Sequence, residues 1–140
     1  MINVKEKGAG GEREIATRLN DIIRRVLDRR GQVMVTPHVQ RNQNQSAVGG
    51  CDLTGTFHFA VEIKRQESLS IETWWKQCTA AASALGQVPV LIFKQNHKKW
   101  RVMMPARIEV NAPGEFMYVR AEITLEDFEK LFTSVAEGML

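Results

Sequence analysis

The 140-residue chain contains no stretch close to the ~18 consecutive apolar residues that a membrane-spanning helix needs. Residues 1–11 carry charge and glycine around no apolar core, which does not fit a conventional secretory signal, so a cytoplasmic location is expected. Cysteine is scarce: Cys51 and Cys78 are far apart and neither belongs to a C-x-x-C pair, so a disulfide framework is not expected and both thiols should be reduced and partly buried. The three histidines, His38, His58 and His97, lack metal-ligand spacing. Gly8, Gly10 and Gly11 are not followed by G-K-[ST], which excludes a phosphate loop.

What is present fits one globular domain. Hydrophobic residues make up 44% and charged residues 25%, ordinary proportions that point away from disorder. The net charge is only +3, but basic residues group as Arg24, Arg25, Arg29 and Arg30, and again as Lys94, Lys98, Lys99 and Arg101. Grouped charge suits a phosphate backbone, and two solvated faces are the alternative. Helical spacing of Ile15, Leu19, Ile22, Ile23, Val26 and Leu27 predicts a helix over 11–30 that stops at Gly31. An edge strand is predicted over 33–39, and the polar run 40–50 reads as an exposed loop and a candidate DNA-contacting arm.

Residues 52–56 and 57–64 read as a hairpin turning near Gly55. In its second strand Phe57, Phe59, Val61 and Ile63 alternate with His58, Ala60, Glu62 and Lys64, so Glu62 and Lys64 share a face. A helix is predicted over 71–85, with Ser70 as cap, Gly86 as stop, and Trp74, Trp75, Cys78, Ala82 and Leu85 as its apolar stripe. Strands are expected over 88–94, 100–104, 108–110 and 116–119, followed by a helix over 124–136 with Thr124 as cap. The order of elements predicts an α/β fold with a mixed central sheet flanked by helices.

Asp52, followed ten residues later by Glu62-Ile63-Lys64, carries the chemistry. Phosphodiester hydrolysis at neutral pH calls for a divalent cation, and hard magnesium takes carboxylate oxygens such as those of Asp52 and Glu62. A lysine on the same strand face can orient water or stabilise charge on the phosphate. A surface ion pair is the plain alternative for such an E-x-K. Glu12 lies on the inward stripe of the first helix with Ile15 and Leu19, so it needs a partner; it either caps the helix start or supplies a third carboxylate. Trp74 and Trp75 suit core or dimer contact better than base stacking, and Gln77 is a candidate supporting residue or an ordinary solvated amide.

The run Lys7-Gly8-Ala9-Gly10-Gly11-Glu12-Arg13-Glu14 resembles the opening K-G-x-x-x-E-R-E of archaeal-type Holliday junction resolvases, members of the PD-(D/E)xK nuclease superfamily. The likeness continues through Asp52, Glu62-Ile63-Lys64, the 88–91 strand and Trp100-Arg101-Val102, covering roughly residues 5–104. It implies a restriction-endonuclease-like core in which Glu12, Asp52 and Glu62 are acidic catalytic residues and metal ligands for Mg2+, with Mn2+ able to substitute. Lys64 becomes the catalytic lysine, and Arg13 a DNA-contacting or site-supporting residue. DNA contacts are also expected from Arg41, Gln43, Arg65, Lys98 and Lys99. It further implies a homodimer acting on branched, four-way DNA. A related nuclease of linear or single-stranded DNA, and a nucleic-acid-binding module without catalysis, are the alternatives. Cys51 stands where the superfamily has proline, and residues 105–140 have no counterpart, which makes them a candidate dimer or specificity element of one nuclease domain spanning 1–140.

Overall fold

The structure, a computed structural model, describes residues 4–43 and 51–140, with side chains from Gly8 onward. Chain order is α1 (Val4–Arg29), β1 (Gln40–Arg41), β2 (Leu53–Thr54), β3 (Phe59–Gln66), α2 (Ile71–Leu85), β4 (Val88–Gln95), β5 (Arg101–Glu109), β6 (Phe116–Thr124) and α3 (Leu125–Met139). The main sheet runs β3-β4-β5-β6, parallel between β3 and β4 and antiparallel beyond; β1 and β2 form a separate antiparallel pair. This is the mixed α/β architecture that the alternation of periods predicts. No described helix is long and apolar enough to cross a membrane.

Strand parity divides the core. Phe59, Val61 and Ile63 join Val90, Ile92, Val102 and Met104 beneath α1 and α3, whose contributions include Ile15, Leu19, Phe128 and Phe132. The opposite parity sends Leu91, Phe93 and Met103 towards Trp74 and Cys78 of α2. The parallel β3-α2-β4 unit therefore carries a helix on one face, and the two remaining helices cover the other.

Several boundaries differ from expectation. Helix α1 begins seven residues before Gly11, running through three glycines. Its packing explains the last of them: a Cβ on Gly11 would lie 3.3 Å from Trp100 Cη2 and 3.5 Å from Ile63 Cγ2, so glycine lets the helix press onto β3. The strand expected over 33–39 is absent. Its alternation has nothing to pack against, and Val35 is 91% exposed. Gln40 and Arg41, expected in a loop, instead pair with Thr54 and Leu53. The hairpin expected to turn near Gly55 is not a strand pair: β2 pairs with β1 and β3 with β4, and the chain turns later, at Phe57 and His58, where Phe59 N–H bonds Thr56 C=O at 3.1 Å. Gly55 instead allows a close backbone approach. At φ +76° it passes so near the His38 carbonyl that a Cβ would sit 2.0 Å from the oxygen. The strands expected over 100–104 and 108–110 are one, β5, which continues through Pro105 opposite Arg120.

Helix α2 has the expected bounds, with Gly86 left-handed at its end, although Ser70 makes no side-chain capping bond. Thr124 does cap α3, accepting from Asp127 N–H at 3.0 Å. Residues past 104 complete the sheet and the core, Phe128 and Phe132 being fully buried. The aromatic stripes expected to offer a dimer surface are largely consumed inside the chain: Trp74 is buried and Trp75 half-buried. Both cysteines are free and buried, as expected, and burial first, then the Glu62 charge, pushes the Cys78 thiol up to about 12.

Candidate active site

Parallel pairing sets Glu62 beside Leu91 and Lys64 beside Phe93, so both face the α2 side of β3. β3 ends the sheet, and beyond its free edge runs the segment that carries Asp52. Three bonds fix that residue. Its N–H donates to Val61 C=O at 3.0 Å, its carbonyl accepts from Asn42 N–H at 2.8 Å, and its Oδ2 accepts from Ile63 N–H at 2.7 Å. The amide between Glu62 and Lys64 thus anchors the carboxylate that the motif places ten residues upstream. Cys51, where proline was expected, is buried with its thiol turned to Leu53 C=O at 3.0 Å.

Asp52 is 5% exposed and Glu62 8%, and the Asp52 carboxylate is close enough to act on Glu62. Two buried carboxylates so placed favour a proton on Glu62. Burial, then the Asp52 charge and its hydrogen bond, push Glu62 from 4.5 up to about 8; Lys64 opposes the rise and Glu12 adds to it. An isolated buried charge costs several kcal/mol, so the pair keeps a proton where a cation would otherwise sit. Buried oxygen donors of excess negative charge are the donor set a hard divalent cation takes, and the residues fit that group.

Glu12 approaches the same site from α1 but is not gathered into it. Its Oε2 receives Arg41 Nε at 2.9 Å. Burial raises the Glu12 pKa, the Arg41 bond lowers it, and the charges of Asp52 and Lys64 act on it in opposite directions. Among the described residues no three acidic, histidine or cysteine side chains are close enough together to hold a metal ion. The arrangement is a carboxylate pair plus lysine, with a third acid held nearby by an arginine. Glu14 accepts a hydrogen bond from Trp100 Nε1.

The other expected site residues are dispersed. Arg13, Gln43, Gln77, Lys98 and Lys99 are exposed. Arg65 takes the opposite parity to Lys64, its Cβ lying against Gly11 on the α1 side. Arg41, expected in a DNA-contacting arm, is instead half-buried in the ion pair with Glu12, and the rest of that arm from residue 44 to 50 lies outside the described residues. The basic stretch on α1 is partly committed to structure. Arg30 donates to the carbonyls of Glu137 and Leu140, and Arg29 pairs with Glu137 at 3.5 Å. In the second stretch Arg101 pairs with Glu122 at 2.7 Å, and Lys94 lies over the Trp100 ring. Sequence reasoning missed Arg41 as the partner Glu12 requires and Asn42 as the brace of Asp52. Their only signal was a basic and an amide residue shortly before the glycine pair.

Among solved structures, the chain resembles Hjc, a Holliday junction resolvase from the archaeal hyperthermophile Archaeoglobus fulgidus, at 14% identity and a TM-score of 0.49, over 89% of this chain and 96% of that one. No curated protein sequence matches it. A family model described as "Phage putative PDDEXK endonuclease" matches residues 3–138, nearly the whole length, and the chain belongs to that PD-(D/E)xK endonuclease family.

Proposed function

We propose that the protein is a divalent-metal-dependent DNA endonuclease that prefers branched DNA, four-way junctions above all, and works as a homodimer. The observation that carries the nuclease reading is the buried Asp52–Glu62 pair with Lys64 two residues along the same strand face. Asp52 and Glu62 would hold the cation, Mg2+ or Mn2+ by their hardness, with Glu12 assisting. When bound, the cation supplies neutralisation of phosphate charge and a lowered pKa for the attacking water. Ile63 N–H keeps Asp52 oriented before substrate arrives, so the site needs little rearrangement there. The Lys64 ammonium stabilises charge developing on the phosphate in an in-line displacement. Exposed Arg13, Gln43, Lys98 and Lys99 are free to meet backbone phosphates.

Support for branched substrates comes from the K-G-A-G-G-E-R-E run and its resemblance to junction resolvases. Two nicks placed symmetrically on a four-way junction suit two sites related by a two-fold axis. A surface for the second copy exists on the β5–β6 hairpin, where Ile108, Val110, Phe116, Met117, Tyr118 and Val119 are all exposed. β6 closes the described sheet, and antiparallel pairing with itself about an axis through Tyr118 would set Met117 against Val119 of the second copy. The deciding experiment compares cleavage of a four-way junction, a linear duplex and a single strand of matched sequence, with magnesium and with chelator. Junction-selective, magnesium-dependent cutting is expected. Equal cutting of junction and duplex would leave a nuclease without the junction preference, and cutting in chelator would remove the metal.

A further inference from the structure

Two adjacent residues of one short segment serve two of the three acids, Glu12 and Asp52. Arg41 pairs with Leu53 in the β1–β2 ladder and reaches back to Glu12, while Asn42 holds the carbonyls of Asp52 at 2.8 Å and Cys51 at 3.0 Å. Arg41 engages Glu12 through Nε, the only contact of that guanidinium among the described residues. A guanidinium has five donors in a planar fork, and one bond at Nε is weaker than the two-point grip it can offer a phosphate. Glu12 is near enough to Asp52 and Glu62 for its charge to act on both. Exchanging a carboxylate partner for a phosphate partner thus leaves Arg41 at least as well satisfied, and releases an acid beside the pair that lacks a cation.

We infer that Arg41 is a built-in counter-ion that occupies Glu12 until a DNA phosphate draws it away, whereupon Glu12 turns to the Asp52–Glu62 pair, so that DNA and divalent cation bind cooperatively. Arg41 is on this view a positioning residue acting through Glu12, and the inference rests on the reading of Asp52 and Glu62 as cation ligands. The coupling is reciprocal: whatever factor DNA adds to cation affinity, the cation adds to DNA affinity.

The test is titration calorimetry with calcium chloride, with and without a short blunt duplex, in a Lys64→Ala background that keeps the duplex intact. Calcium accepts carboxylates without the strict octahedral geometry of magnesium. Without DNA, Arg41→Gln should bind calcium about tenfold more tightly, within the usual range of coupling between linked sites. The gain should vanish in the Glu12→Gln, Arg41→Gln double variant. The duplex should tighten calcium binding to the Arg41 protein and do so much less for Arg41→Gln. Unchanged or weaker calcium binding by Arg41→Gln, a gain that survives in the double variant, or an undiminished effect of the duplex would each overturn the inference. Arg41→Met, which keeps the apolar stem, gives the same reading if Arg41→Gln fails to fold. Calcium binding that Asp52→Asn leaves untouched would instead sink the cation site itself, and the inference with it.

Discussion

The two ends of the main sheet break the ordinary rule of burial in opposite ways. At the β3 end, charge is inside: Asp52 and Glu62 are buried on an edge where solvent would be the natural partner of a carboxylate. At the β6 end, apolar surface is outside, with Tyr118 73% exposed and its hairpin neighbours alongside. Each edge holds groups whose demand the folded chain does not meet. A buried acid pair asks for a cation, and an open strand with an apolar face asks for another surface. The middle of the sheet, β4 and the first half of β5, obeys the rule, burying Leu91, Ile92, Phe93 and Val102. Departures from good folding practice thus concentrate where function is expected, and the interior pays for them.

The largest effect should come from emptying the β3 edge of its charge. Lys64→Ala should slow single-turnover cleavage of junction DNA by about a hundredfold or more, the usual loss when one preorganised charge is removed from a transition state. Asp52→Asn and Glu62→Gln should be at least as damaging, while DNA binding by all three survives in a gel-shift assay. Turnover near the parent level by the lysine variant would take Lys64 out of the chemistry.

Next in size is the β6 edge. Placing aspartate at both Met117 and Val119 should weaken self-association by roughly two orders of magnitude, since charge is then buried at an apolar contact. Sedimentation velocity across a concentration series reads this directly, and circular dichroism reports whether the monomer keeps its fold. A dimer as strong as the parent's would show that the contact lies elsewhere.

A smaller effect compares the buried pair with and without the proton on Glu62. Because Glu62 is raised from 4.5 to about 8 by burial and by Asp52, the folded state binds that proton more tightly than the unfolded chain. Its share of stability is full below about 4.5 and declines as pH rises to about 8. Without metal, Glu62→Gln should therefore gain on the parent from pH 5 to pH 8 by about 1–3 kcal/mol, and magnesium should restore the parent at pH 8. Denaturant midpoints at the two values check it; parallel pH profiles for the two proteins would contradict the raised Glu62 pKa.

The smallest effect lies at neither edge. Arg18 meets Glu129 at 2.6 Å between α1 and α3, with both side chains partly in solvent. Alanine at either position should cost less than about 1 kcal/mol, measured as a shift in denaturant midpoint. A larger loss would mean the helices depend on this tie more than on Phe128 and Phe132 beneath it.

Legibility in the sequence followed the same division. Helices α2 and α3 and strand β4 were readable because their apolar spacing reports a real partner surface. Asp52, Glu62 and Lys64 were readable because strand parity is local and puts the last two on one face. Val33 and Val35 misled for the converse reason: their alternation is real, but no surface meets it. The gap expected between 104 and 108 misled, because the ladder with β6 carries β5 through Pro105. Arg41 was beyond reach. Its partner is 29 residues away on another element, and nothing in a basic residue before a polar run says which acid it will meet.

The grip of Arg30 on the carbonyls of Glu137 and Leu140 has a consequence for the timing of folding. Helix α1 is synthesised well before α3, yet each covers the other, with Arg18 and Glu129 separated by 111 positions. A chain emerging from the ribosome can wind α1 early and lay β3 against its stripe of Ile15, Leu19 and Ile23, but that stripe is fully covered only when residues near 132 arrive. Strand β3 also waits for β4 across an intervening helix, a pairing of long sequence separation. The nuclease site, on α1, β2 and β3 early in the chain, therefore rests on a core that closes only once α3 has been made.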